Sequence, residues 1–210
     1  MINIVDNIDS TNTWLTQFSN NLFDSILSFR QSRGYGRLGR HWESDAGGLY
    51  YSVVLPYRKI LPLIIGVSVA DILVKYNIGI QLKWPNDILV GGKKLGGILC
   101  QSEGQSAVVG LGINMTNNPK LSGSINLAEL GCRFDKLNFI DTLSKKIAIN
   151  LSLENQEIID NFSTYDCLVG KQVSWSEGEG QVEKISEEGQ LVVRNTNNGL
   201  IFLTDEVHLE

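Results

Sequence analysis

Four short stretches of this chain carry the residues best suited to chemistry. The first, Arg33-Gly34-Tyr35-Gly36-Arg37-Leu38-Gly39-Arg40-His41-Trp42, sets three arginines, three glycines and a tryptophan within ten residues. No acidic side chain lies between Ser25 and Trp42, although the whole chain has a formal charge of -5. A basic loop on an acidic protein points to a small anionic ligand rather than to nucleic acid. Glycines let a backbone approach a phosphate, arginines neutralise it, and an indole can stack on a flat ring. Gly34, Gly36 and Gly39 also spell a dinucleotide-binding pattern. The residues after Gly39, Arg40-His41-Trp42-Glu43, cannot open the apolar helix that pattern requires.

The second stretch is Lys83-Trp84-Pro85-Asn86-Asp87. Period-2 alternation places Gln81 and Lys83 on one face of a strand, with Leu82 and Trp84 on the other. A lysine and an aspartate at a strand end can reach a phosphate oxygen and help hold Mg²⁺. The third is Lys93-Lys94-Leu95-Gly96-Gly97-Ile98-Leu99. Paired glycines weaken a strand by about 1 kcal/mol each relative to alanine. They are tolerated where a ligand or another backbone comes close, or in a flexible hairpin edge. The fourth, Gly110-Leu111-Gly112-Ile113-Asn114, ends in an amide. An amide offers the donor and acceptor that an adenine edge requires, and it also suits a plain turn.

These stretches need elements to position them. Asn3 to Asp9 reads as a strand, and Ser10-Thr11-Asn12-Thr13 offers capping side chains to a helix carrying Trp14, Leu15 and Phe18. A strand over Ser25 to Phe29 delivers the chain into the arginine loop. Leu49 to Leu55 is apolar on both faces, as an internal strand would be. Pro62 to Tyr76 fits a buried helix with proline in its first turn. Ile80 to Trp84, Ile88 to Val90, Leu95 to Ser102 and Ala107 to Leu111 form a meander, with Gly91-Gly92 as a tight turn. Helices follow over Phe139 to Asn150 and Glu157 to Tyr165.

The tail changes character. Short alternating stretches over Gln172 to Trp175, Gln181 to Ile185, Leu191 to Arg194 and Leu200 to Leu203 are separated by turn clusters. Those clusters are Gly178-Glu179-Gly180, Glu187-Glu188-Gly189 and Asn197-Asn198-Gly199. The expected fold class is therefore α+β: a mixed or antiparallel central sheet flanked by helices over residues 1–166. A small β-barrel of SH3-like size follows over 167–210.

Composition narrows the function. A hydrophobic fraction of 42% and a charged fraction of 20% are ordinary for a globular protein. The apolar run from Ile60 to Val74 is too short and too interrupted to span a bilayer. No signal pattern precedes the first strand, so a cytoplasmic location is expected. Cys100, Cys132 and Cys167 form no Cys-x-x-Cys pair, and His41 and His208 are the only histidines. A zinc site is thereby disfavoured, and inert thiols are expected.

Taken together and in order, these motifs resemble the biotin protein ligase family. The resemblance runs from Asp9-Ser10-Thr11-Asn12 through the Gly-x-Gly-Arg-x-Gly-Arg-x-Trp loop to Lys-Trp-Pro-Asn-Asp. It continues through Lys-Leu-Gly-Gly-Ile-Leu and Gly-Leu-Gly-Ile-Asn, and covers essentially the entire chain. It implies a catalytic domain like that of class II aminoacyl-tRNA synthetases. It also implies ATP and biotin as substrates, Mg²⁺, a biotinyl-5′-AMP intermediate, and transfer to a lysine of a biotin carboxyl carrier protein. By the same resemblance, Ser10, Thr11, Asn12, Gln31, Tyr35, Gly36, Arg37, Lys94, Gly97 and Leu99 would bind biotin. Arg37, Arg40, Trp42, Lys83, Asn86, Asp87 and Asn114 would bind ATP, with Asp87 at the metal. Arg37, Arg40 and Lys94 would be catalytic.

Tyr35 departs from the Gly-Arg-Gly-Arg form of the loop, an arginine stands instead at Arg33, and whether Arg33 replaces the missing charge is left open by the sequence. Only nine residues precede Ser10, so no DNA-binding domain is expected. A homodimer is implied by relatives that pair through the sheet. Two alternatives carry other chemistry. One is a lipoate or octanoate ligase, against which the absence of an Arg-Arg-x-x-Gly-Gly-Gly motif argues. The other is a non-catalytic biotin- or nucleotide-binding module, against which the intact Lys94, Asp87 and Asn114 argue.

Overall fold

The structure, a computed structural model, describes residues 2–19 and 21–209. Among these, seven strands form one sheet: β1 (Ile2–Val5), β2 (Ser25–Ser28), β3 (Leu49–Pro56), β4 (Ile80–Lys83), β5 (Asp87–Val90), β6 (Lys93–Glu103) and β7 (Ser106–Ile113). Their spatial order is β1-β2-β3-β7-β6-β5-β4. The β1–β2 pair is parallel and the rest are antiparallel. This is the mixed sheet the sequence anticipates. Strand β3 lies between β2 and β7 and is buried on both faces, with Tyr51, Val53 and Leu55 in the main core and Val54 in the smaller cluster on the other side. Strand β6 lies between β5 and β7, which removes the hairpin-edge reading of its glycine pair. Gly91 and Gly92 both take positive φ, 56° and 75°, as the tight β5–β6 turn demands.

Four helices flank this sheet: α1 (Thr11–Phe18), α2 (Leu61–Leu73), α3 (Lys136–Leu151) and α4 (Asn155–Ser163). The Ser10 hydroxyl caps α1 by accepting from the Thr13 N–H, and the Asp135 carboxylate caps α3 through Asn138. Helix α2 is apolar nearly all round, with Pro62 in its first turn, and packs on β4, β6, α3 and α4. Its Ser68 stays inside by donating to the Ile64 carbonyl at 2.7 Å and accepting from Asn150 Nδ2 at 2.9 Å.

Successive residues of a strand face opposite ways, so the sheet has two distinct sides. Leu111, Val109 and Ile98 join α2 and α3 in the main core. On the other side, Val54 and Val108 meet Leu15 of α1 and Ile26. Helix α1 has only eight residues and roofs one end of that side. Over the rest stands the loop 33–42, with a cavity beneath it.

The tail folds into a second, antiparallel sheet of β8 (Gln172–Trp175), β9 (Gly178–Ile185), β10 (Leu191–Asn195), β11 (Leu200–Leu203) and β12 (His208–Leu209). Its order is β11-β10-β9-β8-β12. Val173, Val182, Ile185, Leu191, Val193 and Val207 belong to the same buried cluster as α2 and the large sheet.

Two local expectations are corrected. The first strand ends at Val5, and Ile8 makes only an isolated bridge with Gln31. Gly178-Glu179-Gly180 is strand rather than turn, because the reversal is made by Ser176 and Glu177. A Cβ on Gly180 would lie 2.3 Å from the Arg194 carbonyl oxygen, so glycine serves close strand approach there. No helix among the described residues is long and apolar enough to cross a membrane.

Candidate active site

The floor of the cavity is bare backbone. Register pairs Gly97 with Gly112 and Leu99 with Gly110, so the glycines of two separate motifs lie side by side on β6 and β7. A Cβ on Gly112 would stand 2.6 Å from Trp42 Nε1, and one on Gly97 3.3 Å from Trp42 Cζ3. The indole lies across this strip. A Cβ on Gly110 would stand 2.1 Å from Asn12 Oδ1. Each glycine thus makes room for one named side chain, and the site sits on the sheet rather than above it. The enclosed volume is about 250 Å³.

One wall is polar and nearly dry. Asn12 is 4% exposed and Ser52, on β3, is fully buried. The Thr11 N–H and hydroxyl both donate to Gln31 Oε1, at 2.8 and 3.0 Å. Ser52 Oγ lies 2.7 Å from Thr11 Oγ1 and 2.6 Å from Asn12 Oδ1. Gln31 Nε2 donates to Ser44 Oγ at 2.9 Å, and Ser44 in turn donates to the Trp42 carbonyl at 3.0 Å. On the far side Asn12 Nδ2 donates to Gln101 Oε1 at 2.9 Å. Such a wall, with amides and hydroxyls held in place by each other, suits a neutral polar head-group.

The opposite end is charged. Lys94 Nζ pairs with Asp87 Oδ1 at 2.7 Å and lies 5.6 Å from the centroid of the Trp42 ring. The loop holds its arginines in a closed turn: the Gly36 N–H donates to the Arg40 carbonyl at 2.8 Å, and the Trp42 N–H to the Gly34 carbonyl at 2.9 Å. Leu38, at the tip, takes φ 57° and is 80% exposed. A non-glycine residue in the left-handed region stores local strain, which is common in loops that act on ligands. Arg40 Nη1 pairs with Glu206 Oε2 at 2.7 Å and Arg37 Nη2 with Asp205 Oδ1 at 3.5 Å, so the second sheet's last turn meets the loop. The hydrogen bond from Arg40 holds the Glu206 carboxyl below its usual range, with Arg37 adding to the effect.

Trp42, Lys94, His41 and Leu121 also line a second cavity of about 340 Å³, completed by Glu43, Asn114, Pro119, Lys120 and Ser124. The indole and the Lys94 ammonium therefore form a partition between two chambers. Trp42 Nε1 is buried without a hydrogen-bond partner.

Of the expected site residues, Ser10, Thr11, Asn12, Gln31, Tyr35, Gly36, Arg37, Arg40, Trp42, Asn86, Asp87, Lys94, Gly97 and Leu99 all line the first cavity. Asn114 lines the second, but its amide faces the protein. Its Nδ2 donates to the Lys94 and Ile125 carbonyls, and its Oδ1 accepts from Asn117. Asn86 likewise spends its amide on the Ile98 carbonyl at 2.9 Å. Lys83 pairs in register with Asp87 yet does not line either cavity; its charge acts on Cys167. Arg33 lies outside, 82% exposed and 4.0 Å from Asp9, so it brings no charge to the cavity.

Residues that bear on the site without a place in the sequence reading include Gln101, Ser52, Ser44, Asp205 and Glu206. Gln101 was detectable, because it continues the Gly97–Leu99 face of β6 by one period. Ser52 and Ser44 needed the strand register. No group of three or more metal-ligating side chains occurs among the described residues. The three cysteines are free, and burial pushes the Cys100 thiol up to about 12 and Cys167 up to about 11.

Known proteins share this fold. Residues 5–118 match the model of the biotin/lipoate A/B protein ligase family. The bifunctional ligase/repressor BirA of Escherichia coli is 30% identical over 203 residues, covering 85% of this chain and 63% of its own length. The present chain therefore spans under two thirds of that relative. The biotin–[acetyl-CoA-carboxylase] ligase of Paracoccus denitrificans is 30% identical, covering 67% of this chain and 68% of its own. The biotin protein ligase of Aquifex aeolicus, solved in complex with biotin and ATP, superposes with a TM-score of 0.89. It is 27% identical, and the match covers 100% of this chain and 99% of that one. With over half its length in the family match and the same fold from end to end, this chain belongs to the biotin/lipoate A/B protein ligase family.

Proposed function

We propose that this protein is a biotin protein ligase, which activates biotin with ATP and passes the biotinyl group to a lysine of a biotin carboxyl carrier protein. The observation that carries this reading is the partition. Lys94 and Trp42 stand between a polar-walled chamber and a second one, with the loop arginines beside them. The ureido head of biotin would meet Ser10, Thr11, Asn12 and Gln31, and its tail would cross Gly97 and Leu99. Its carboxylate would then arrive at Lys94. An ammonium has three donors, so Lys94 can keep Asp87 and still bind a second carboxylate. The adenine would take the chamber beyond Trp42, bordered by Asn114.

In the first step a carboxylate oxygen of biotin bonds to the α-phosphorus of ATP, and the bond to pyrophosphate breaks. Both reactants are anionic, so Arg37, Arg40 and Lys94 offset the repulsion and hold the two in line. In the second step a neutral lysine amine of the carrier attacks the acyl carbonyl, AMP leaves with the C–O bonding pair, and the amine releases a proton. The closed arginine loop keeps water from the mixed anhydride until then. A Mg²⁺ ion usually takes one or two carboxylates plus substrate phosphates, which the single Asp87 carboxylate fits. Bound there, it would neutralise phosphate charge, with Asn86 and Lys83 close by in sequence.

The remaining features of this reading are a cytoplasmic location and a homodimer paired through the sheet. A catalytic body over 1–166 would be followed by an SH3-like barrel over 167–210. Pyrophosphate release on mixing with ATP and either biotin or lipoate tests the activity, and a mass increase of a carrier domain tests the transfer. Release only with lipoate, or with neither acid, would overturn the proposal. Lys94→Ala and Arg37→Ala are expected to slow adenylate formation about 10²- to 10³-fold. Their melting temperatures should stay near that of the parent protein, and melts far below it would assign these residues to folding instead.

A further inference from the structure

Tyr35 and Gln101 make a contact that no ligand-lining role explains. The Tyr35 hydroxyl donates to Gln101 Oε1 at 3.0 Å, and that same oxygen accepts from Asn12 Nδ2 at 2.9 Å. One carbonyl oxygen thus receives two donors, one from the arginine loop and one from the polar wall. Gln101 sits on β6, where it pairs in register with Val108 of β7, whereas Tyr35 belongs to the arginine loop. Asn12 has no room to swing, being pressed against Gly110 and bonded to Ser52.

The loop is tied to the wall at its other end too. The Trp42 carbonyl accepts from Ser44, which accepts from Gln31, which accepts from Thr11. Between the two ties, Tyr35 and His41 form an isolated antiparallel bridge that encloses Arg37 and Arg40. Fixing Tyr35 therefore fixes the turn that presents both cations. A loop with three glycines in six residues has much conformational entropy to lose, and a tie at its base reduces that loss.

We infer that Gln101 is a positioning residue that couples the polar wall to the arginine loop. Through Asn12 it senses how the head-group end of the cavity is organised, and through Tyr35 it sets the loop that bears Arg37 and Arg40. Tyr35 is then a neutral strut in place of the arginine that the family pattern suggests. The inference rests on the proposed biotin reading for its ligand, although the tie itself does not.

Two measurements on Tyr35→Phe, Gln101→Met, their double variant and Gln101→Glu test it. Trypsin cuts after arginine, so ligand-free cleavage at Arg33, Arg37 and Arg40 reports the loop directly. Tyr35→Phe and Gln101→Met should each speed cleavage several-fold, and the double variant should be no faster than either. Gln101→Glu keeps the accepting oxygen and should cleave like the parent. In calorimetric titration with biotin, each single variant should weaken binding about five- to tenfold, with the double close to the singles. Multiplying effects in the double variant would overturn the coupling. So would parental cleavage rates in Gln101→Met, or failure of Gln101→Glu to restore them. A parent that does not bind biotin sinks the functional reading instead, and the cleavage results still decide the tie.

Discussion

At the scale of single residues, the glycines decide the site. Gly112 faces Trp42 at distances that no methyl group can share, whereas the indole belongs to a loop and can yield. Gly112→Ala should therefore displace Trp42 and weaken nucleotide binding tenfold or more, while lowering the melting temperature by only a few degrees. Titration with ATP alongside a thermal melt checks this, and unchanged ATP affinity would show that the indole has another place to lie. The motifs around these glycines were readable because their residue types are costly in a strand and so demand a reason. Gln101 and Ser52 carried no such mark. A polar residue in a strand is ordinary, and only register reveals that Ser52 stands opposite Gly110 and so beside Asn12. The inward-turned amide of Asn114 was hidden for the same reason, since its partners Ile125 and Asn117 come from a loop without a periodic pattern.

At the scale of elements, hydrophobic period and turn chemistry gave the order of strands and helices correctly, from β2 through α4. Strand β3 shows why: its two-sided apolar run admits only an internal position. The misread turn at Gly178-Glu179-Gly180 shows the limit. Glycine marks both reversal and close approach, and sequence alone does not separate them. Gly180→Ala separates them by energy. Its methyl would meet the backbone of Arg194 rather than a side-chain tip, so relief requires the β9–β10 pair to shift. A loss of about 1 to 3 kcal/mol is expected from such overpacking, read from urea unfolding, with biotin binding retained. A neutral result would mean that the strand pair can spread at no cost.

At the scale of the whole molecule, the second sheet is part of the core and also reaches the loop. Its Asp205 and Glu206 meet Arg37 and Arg40, the two cations proposed to serve the α-phosphate. These two carboxylates therefore share the cations on which that proposed role depends. The Glu206 carboxyl is held below its usual range chiefly by Arg40, so its share of stability is complete above the ordinary glutamate value near 4.3. That share fades as pH falls through the lower folded value. Arg40 is more than half exposed, so the pair should also weaken with salt. Glu206→Gln at neutral pH should raise amide hydrogen exchange in residues 33–42 several-fold, as acidifying the parent from pH 5 to pH 3 should after correction for intrinsic rates. Equal exchange in variant and parent would show that the pair restrains nothing. The backbone floor under Trp42 has a further bearing on how such a site can change. Every substitution at Gly97, Gly110 or Gly112 adds atoms, so these three floor positions can make the cavity shallower but never deeper. Any drift toward a bulkier acyl acid, in nature or in a directed-evolution library, must therefore begin in the side chains that stand around this floor.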